Sequence, residues 1–218
     1  QAHPKDDLFG HAPFAAQLAK SFIRNTSEDG LVLALHGPWG AGKTTVLGFV
    51  CHFIEASDVT GAERPVVIHF NPWWFSGRED LARAFLRQLQ AVLPEKSKKF
   101  KRLGALLGDF AESIGGLIDL TGVSGGMGSK IGKFVGQLAK RKPKDVPALK
   151  SEIAKVLREA RIRILVIVDD IDRLDEGEVR QVFTVIKALA DFPFVTYLLA
   201  FDRDVAARRG YLDLRIVD

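Results

Sequence analysis

The chain has 218 residues, of which 47% are hydrophobic, and its 31 Lys and Arg exceed its 27 Asp and Glu by a formal charge of only +4. This length supports one substantial core, and so small a basic excess argues against a dedicated nucleic-acid binder, so nucleic acid is not an expected partner. The single cysteine, Cys51, excludes an intrachain disulfide framework and fits a reducing compartment, so a cytoplasmic location is expected.

The first ten residues, QAHPKDDLFG, lack an initiating methionine and the basic-then-apolar pattern of a secretory signal, which indicates a fragment of a longer protein. Beyond them, short apolar runs alternate with stretches of helical period. This alternation predicts an α/β fold in which a parallel β-sheet is sandwiched by helices. The predicted strands are LVLALH from Leu31, VVIHF from Val66, ILVIV from Ile164 and VTYLLAF from Val195.

The first predicted strand leads into GPWGAGKT, which matches the phosphate-binding pattern G-x-x-x-x-G-K-[ST] at every fixed position. Its glycines let backbone N–H groups point at phosphates where a Cβ would crowd them. Lys43 is expected to reach the β and γ phosphates, and Thr44 to bind magnesium at the start of an amphipathic helix. The residues predicted to bind the nucleotide are Gly37, Pro38, Trp39, Gly40, Ala41, Gly42, Lys43, Thr44 and Thr45.

The second predicted strand leads into NPWWF. The rings of Trp73 and Trp74 either pack under the phosphate loop, which we favour, or present a surface to a partner. Ser76, followed three residues later by Glu79, predicts a capping box that opens a helix. The apolar face of that helix is Leu81, Phe85, Leu89 and Val92.

Residues from about 95 to 145 form a predicted insertion, in which basic clusters at Lys96 to Arg102 and Lys140 to Lys144 bracket a helical and Gly-rich stretch. Charged residues interrupt its apolar runs before they reach the roughly 18 residues that a membrane-spanning helix needs. Either two amphipathic or loosely ordered segments lie on the domain, or an interfacial hairpin brings its basic flanks to anionic lipid or a partner.

The third predicted strand, ILVIV, is too continuously apolar to be half exposed, so we expect it to be central. Asp169 and Asp170 follow at its carboxyl end, where ligands bind in open parallel sheets. Asp169 is therefore expected to hold magnesium beside Thr44, and Asp170 to orient the attacking water or accept its proton. The alternative is that Asp170 and Asp172 cap the turn and the following helix. Arg173 either stabilises the transferring phosphoryl group or pairs with the nearby aspartates.

Asp175 and Glu178 predict a second capping box, which opens a helix whose buried stripe runs from Val179 to Leu189. A turn from Asp191 to Pro193 then leads into the last predicted strand.

The segments GPWGAGKTT, FNPWWFSGREDL, ILVIVDDIDRL and LLAFDRDV, together with the approach DDLFGHAPFAAQLAKSFI, occur in this order and cover most of the chain outside the insertion. In these blocks the chain resembles the KAP family of P-loop NTPases. The resemblance implies an ATPase module related to the AAA and STAND-type groups, often with membrane helices between the Walker A and Walker B motifs. Here the insertion occupies that place without a spanning run.

On this resemblance, Lys43 and Thr44 take the phosphate and metal roles, Asp169 the Walker B role and Asp170 the water-activating role. Asp202 matches the family's strand-end aspartate and is expected to sense the γ-phosphate, with a helix N-cap as the alternative. The approach from Phe9 to Phe14 is expected near the base, although His11 occupies a place where related groups often have Arg. The identity of the base is inferred from the family.

The resemblance implies magnesium-dependent ATP binding and hydrolysis that drives a conformational change in a larger assembly, with self-association or protein partners. The alternative is a nucleotide-gated binding switch or scaffold with little turnover. A small-molecule kinase is a weaker third possibility. The chain ends soon after the last predicted strand, so we expect it to lack a helical lid and to show weak activity in isolation. The basic clusters predict peripheral contact with the inner face of an anionic membrane.

Overall fold

The computed structural model describes residues 3–59, 64–77, 81–92, 98–120 and 145–208. The strands are β1 (Leu31–His36), β2 (Val66–Phe70), β3 (Ile164–Val168) and β4 (Val195–Phe201). The α-helices are α1 (His11–Arg24), α2 (Lys43–Glu55), α3 (Leu81–Val92), α4 (Lys98–Leu120), α5 (Val146–Ala160), α6 (Glu176–Leu189) and α7 (Arg203–Arg208). Short 3₁₀ helices span Pro4–Asp6, Pro72–Phe75 and Ile171–Arg173.

The four strands form one parallel sheet in the order β1-β4-β3-β2. Each strand begins where the apolar runs of the sequence predict it. β3 is buried along its whole length and lies between β4 and β2, as its uninterrupted apolar character predicts. The predicted α/β fold is thereby confirmed.

Helices cover both faces of the sheet because the side chains of a strand alternate between its faces. On β3, Leu165 and Ile167 pack with α1 and α2, whereas Ile164, Val166 and Val168 pack with α3 to α6. The face with α1 and α2 holds the smaller core, and the face with α3 to α6 holds the larger one. These two cores fix the positions of the strand ends that form the site.

The first half of the predicted insertion is helix α4, which is packed into the larger core. Its buried residues are Leu103, Leu106, Leu107, Phe110 and Ala111. The spacing of these residues matches one face of an α-helix, which explains the burial. The Gly-rich remainder and the basic cluster Lys140 to Lys144 lie outside the described residues. No helix within the described ranges is long and apolar enough to cross a membrane.

The capping box predicted at Asp175 and Glu178 is confirmed: Glu178 N donates to Asp175 Oδ1 at 2.9 Å, and Asp175 N donates to Glu178 Oε2 at 3.0 Å. In the other predicted box, Glu79 lies outside the described residues. The Ser76 hydroxyl donates instead to Glu178 Oε1 at 2.7 Å. The segment after β2 is therefore tied to the start of α6.

Candidate functional site

A polar or glycine-rich segment follows the carboxyl end of each strand. The glycine loop 37–44 follows β1, Asn71 follows β2, Asp169 and Asp170 follow β3, and Asp202 follows β4. Because the strands are parallel, these segments meet at one edge of the sheet. Since β4 lies between β1 and β3, Asp202 lies between the loop and the two aspartates.

The loop 37–44 depends on glycine at two positions. Gly40 and Gly42 have φ angles of 83° and 82°, in the left-handed region that glycine enters without a Cβ penalty. A Cβ on Gly42 would also lie 2.7 Å from Nε2 of His11, so the imidazole lies directly against the loop. Gly37 is half buried and its N–H donates to Phe201 O, which joins the loop to the end of β4.

The other loop positions are arranged around these glycines. Pro38 is exposed and accepts from the backbone N–H of Ala41 at 3.1 Å, which closes the turn. Trp39 is 83% exposed. Thr45 is half buried in the first turn of α2. The loop therefore exposes its tip at the start of α2, where the positive end of the helix dipole favours an anion.

The Lys43 ammonium lies within the loop. Its Nζ donates to Gly37 O at 2.8 Å and to Pro38 O at 3.2 Å, and it lies 3.8 Å from Asp172 Oδ2. The side chains of Lys43 and Asp172 are only 11% and 12% exposed. The cation is therefore held at the loop by acceptors of this chain.

Thr44 and Asp169 are brought into direct contact across 125 positions of sequence: Thr44 Oγ1 donates to Asp169 Oδ2 at 2.8 Å. The other Asp169 oxygen accepts from Asp170 N at 2.9 Å, and Asp169 N donates to Phe70 O of β2 at 3.2 Å. A hydroxyl and a carboxylate oxygen are the hard ligands that Mg²⁺ prefers, usually together with waters and substrate phosphates. This pair at the end of the glycine loop fits a magnesium–phosphate group.

Asp170 carries two side-chain contacts. Its Oδ2 accepts from Asn71 Nδ2 at 2.7 Å, and its Oδ1 forms an ion pair with Arg173, whose Nε lies 2.8 Å away. The pairing of Arg173 with an aspartate is one of the two alternatives that its position in the sequence left open. Asp170 is also the residue before the 3₁₀ helix Ile171–Arg173, but its side chain does not cap that helix.

Asp202 caps helix α7. Its Oδ1 accepts from Asp204 N at 2.9 Å and from Val205 N at 3.3 Å, the pattern of an N-cap residue. The capping alternative is thus present in the structure. The strand order places the same side chain beside the site, so a role toward the γ-phosphate stays a prediction.

Two further residues, Asn71 and Asp172, were not placed in the site from the sequence. Asn71 contacts Asp170, and Asp172 lies beside Lys43. Asn71 follows an apolar strand directly, as Asp169 does, so the strand-end rule applied to β2 would have identified it. Asp172 follows no such rule, because only the 3₁₀ helix after β3 turns its side chain toward the loop.

The approach segment lies beside the loop through His11, and Asp7 fixes its entry into α1. Asp7 Oδ2 accepts from Ala12 N at 2.8 Å, and this hydrogen bond lowers the pKa of Asp7. Phe9 and Phe14 are exposed. The favoured packing of Trp73 and Trp74 under the phosphate loop is wrong, because their side chains are 47% and 68% exposed and the 3₁₀ helix that carries them extends beyond β2.

Comparisons with known proteins agree with the fold. Residues 11–208 match the family described as the KAP family P-loop domain. The Phage T7 exclusion protein of Escherichia coli (strain K12) is 26% identical over 236 aligned residues, which cover 98% of this chain. The alignment covers 31% of that relative, so the chain spans about a third of its length.

Proposed function

Because the chain belongs to the KAP family of P-loop NTPases, we propose that it binds ATP with magnesium and hydrolyses it, and that hydrolysis drives a conformational change in a larger assembly. The observation that carries the proposal is the 2.8 Å contact between Thr44 Oγ1 and Asp169 Oδ2 at the end of the glycine loop. A hydroxyl and a carboxylate so placed suit a cation that also bridges phosphate oxygens.

In this proposal the residues of the loop hold the triphosphate. Backbone N–H groups between Gly37 and Thr44 donate hydrogen bonds to the phosphate oxygens, and Lys43 exchanges its carbonyl contacts for the β and γ phosphates. Magnesium, when bound by Thr44 and Asp169, would neutralise charge on the phosphate oxygens. The base is proposed to be adenine on the family relation, with the Phe9 to Phe14 segment nearby.

Asp170 is proposed to orient the attacking water and accept its proton. It lies one residue beyond the proposed metal ligand, and its carboxylate is 20% exposed, which leaves it open to water. A carboxylate held by neighbours needs little rearrangement to act as a base. Asp202 is the second candidate for contact with the γ-phosphate, because β4 carries it between the loop and Asp170.

The alternative function is a nucleotide-gated binding switch with little turnover. The observation that favours it is that both Asp170 oxygens are already engaged, one by a hydrogen bond from Asn71 and the other by an ion pair with Arg173. Protein partners or self-association would then respond to the nucleotide through the loops at this edge of the sheet. The name of the aligned relative favours exclusion of a phage as the process, which a plaque assay with the parent and a Lys43→Ala variant would test.

Steady-state phosphate release tests the proposed function. Measured with ATP and magnesium, the parent chain should release phosphate, and chelation of magnesium or Lys43→Ala should reduce the rate to background. Tight binding of magnesium and ATP without release by the parent would contradict hydrolysis and support the binding switch.

A further inference from the structure

The backbone of Asp170 is held in an unusual conformation. Its φ and ψ of 60° and 27° lie in the left-handed region that residues with a Cβ rarely enter. Such a conformation persists only where the surroundings over-determine it, and it occurs preferentially at functional sites. Part of that constraint is the hydrogen bond from Asp170 N to Asp169 Oδ1 at 2.9 Å. The backbone conformation therefore fixes the position from which the Asp170 side chain extends.

Two side chains then fix where that carboxylate points. Asn71 donates a hydrogen bond to one oxygen at 2.7 Å, and Arg173 forms an ion pair with the other at 2.8 Å. Asn71 is itself held, because its Oδ1 accepts from Trp73 N at 3.1 Å. Rotation of the carboxylate would break at least one of the two contacts.

Arg173 reaches Asp170 because Asp170 directly precedes a one-turn 3₁₀ helix that ends at Arg173, and residues three apart in such a helix lie on the same side. Its guanidinium carbon lies 5.4 Å from the centroid of the Trp73 ring, within the range of a cation–π contact. The indole therefore restricts a side chain that is 49% exposed and would otherwise sample several rotamers.

The segment that carries Trp73 is anchored at its far end as well. Glu178 Oε1 accepts from Ser76 Oγ at 2.7 Å and from Gly77 N at 2.8 Å. Glu178 is part of the capping box of α6, so this anchor belongs to the rigid body of the fold. The segment 71–77 is thus held at both ends: Asn71 contacts Asp170 after β3, and Ser76 and Gly77 contact Glu178 in α6. Trp73 lies between these two anchors.

We propose that Arg173 is a positioning residue for the Asp170 carboxylate, and that the Trp73 indole holds Arg173 in place. This inference rests on the proposed function, in which Asp170 activates water. An ion pair this exposed contributes little to the free energy of folding. A contribution to stability therefore does not explain why Arg173 is restrained by an aromatic ring and directed at the carboxylate proposed to activate water. Arg also suits the site because a planar guanidinium stacks on a ring, which an ammonium does less well.

Turnover kinetics of Arg173 variants test the role. Arg173→Gln should lower kcat about 10- to 100-fold with little change in KM, because a misdirected base slows chemistry while the phosphate loop is intact. Arg173→Lys should recover part of the loss. Trp73→Ala should also lower kcat, and combining it with Arg173→Gln should lower kcat little further, since both changes disrupt the same positioning of the Asp170 carboxylate. A rise in kcat, or a KM effect alone, would overturn the proposal.

Two variants serve as matched controls. Arg180→Gln removes another exposed arginine–carboxylate pair, the 2.7 Å contact of Arg180 with Glu176 on α6. Trp74→Ala removes the neighbouring and more exposed indole. Both should keep the parent kcat, and thermal melting should show all variants folded. A loss in the controls equal to that in Arg173→Gln would mean that the effect is general.

A spectroscopic measurement decides the linkage without turnover. With Trp39 and Trp74 changed to Phe, Trp73 becomes the single tryptophan, because the chain has three. Asp170→Asn should then increase acrylamide quenching of Trp73, since an arginine that loses its ionic partner covers the ring less. Arg173→Gln should do the same, whereas Arg180→Gln should not.

The two experiments separate the possible failures. A parent that releases no phosphate would contradict hydrolysis, and with it the role of Arg173 in the reaction. Quenching that ignores Asp170→Asn would show that the carboxylate and the indole are not linked, and would overturn the proposal even in an active enzyme.

Discussion

At the scale of single residues, the site is held together by side chains that contact across large separations in sequence. Thr44 meets Asp169, Asn71 meets Asp170, and Lys43 lies near Asp172. Each contact joins a loop after one strand to a loop after another. The residues proposed to bind phosphate, metal and water are therefore coupled by contacts that substitution can test one at a time.

Lys43→Ala should weaken ATP binding by about 10- to 100-fold, since hydrogen bonds to charged groups contribute about 1.5–3 kcal/mol each. Isothermal titration calorimetry measures the affinity. Lys20→Ala, at an exposed position of α1, is the control and should bind as the parent does. Because Lys43 also faces the nearly buried Asp172, melting curves should accompany the titration. Unchanged affinity in Lys43→Ala would contradict the assignment of the loop.

Asp170→Asn should separate binding from chemistry. The amide keeps the shape of the carboxylate but cannot accept a proton, so turnover should fall about 10²- to 10⁴-fold while magnesium-dependent ATP binding remains. Asp169→Ala should instead abolish the magnesium dependence of binding, because it removes the partner of Thr44. Parallel calorimetry and phosphate-release assays distinguish the two. Turnover at the parent rate in Asp170→Asn would move the water-activating role to another residue, with Asp202 the first to examine.

At the scale of elements, strand order decides which loops face one another. β4 separates β1 from β3, so the glycine loop and the aspartates after β3 lie on either side of Asp202. The short helix α7 begins immediately after this residue and takes its cap from it. Asp202 thereby caps a helix at a strand end that lies between the two halves of the proposed site.

Replacing Asp202 by two different residues should separate these roles. Asp202→Ala should lower the free energy of unfolding by about 1 kcal/mol through loss of the cap, whereas Asp202→Ser should retain most of it because Ser is also a good N-cap. Urea denaturation measures the stability and phosphate release the turnover. If Asp202 senses the γ-phosphate, both variants should lose turnover. Full turnover in Asp202→Ser would leave the cap as its role.

At the scale of the whole molecule, one helical layer lies beside the phosphate loop and the other forms most of the core. α1 and α2 flank the phosphate loop, whereas α3 to α6 form the larger core behind β2 and β3. α4 belongs to this second layer, and its first turns carry Lys98, Lys101 and Arg102 as exposed residues. Basic residues at a helix start oppose the helix dipole, so their exposed charges favour an anionic neighbour.

We expect this part of the molecule to bind anionic membranes peripherally. Each basic residue near such a surface contributes about 1 kcal/mol, and salt screens the attraction. In liposome flotation, the chain should float with anionic vesicles at low salt and less at high salt. Changing the basic residues of Lys96 to Arg102 and Lys140 to Lys144 to Ser should remove binding. Lys20, Lys155 and Lys187 changed to Ser form the control, which should float like the parent. No binding to anionic vesicles at low salt would contradict this expectation.

The amino-acid sequence alone determined the strands, the phosphate loop and the proposed metal pair. Short continuous apolar runs that alternate with helical stretches are typical of buried strands in a parallel sheet covered on both faces, and ligands bind at the carboxyl ends of such strands. Glycine at positions 40 and 42 could be explained from the sequence, because the loop needs positive φ there and glycine adopts it without a Cβ penalty. The pairing of Asp175 with Glu178 is local, so a spacing of three residues was sufficient to predict it.

Only the tertiary structure decided the contacts that join distant strand ends. The order β1-β4-β3-β2 arises from packing of whole helices on both faces, which no local pattern encodes. That order brings Asn71 to Asp170, and it brings Trp73 against Arg173 instead of under the phosphate loop. These contacts join residues about a hundred positions apart in the sequence, as Asn71 and Asp170 are. They depend on the three-dimensional path of the chain, whereas a sequence pattern describes only residues that are near one another along the chain.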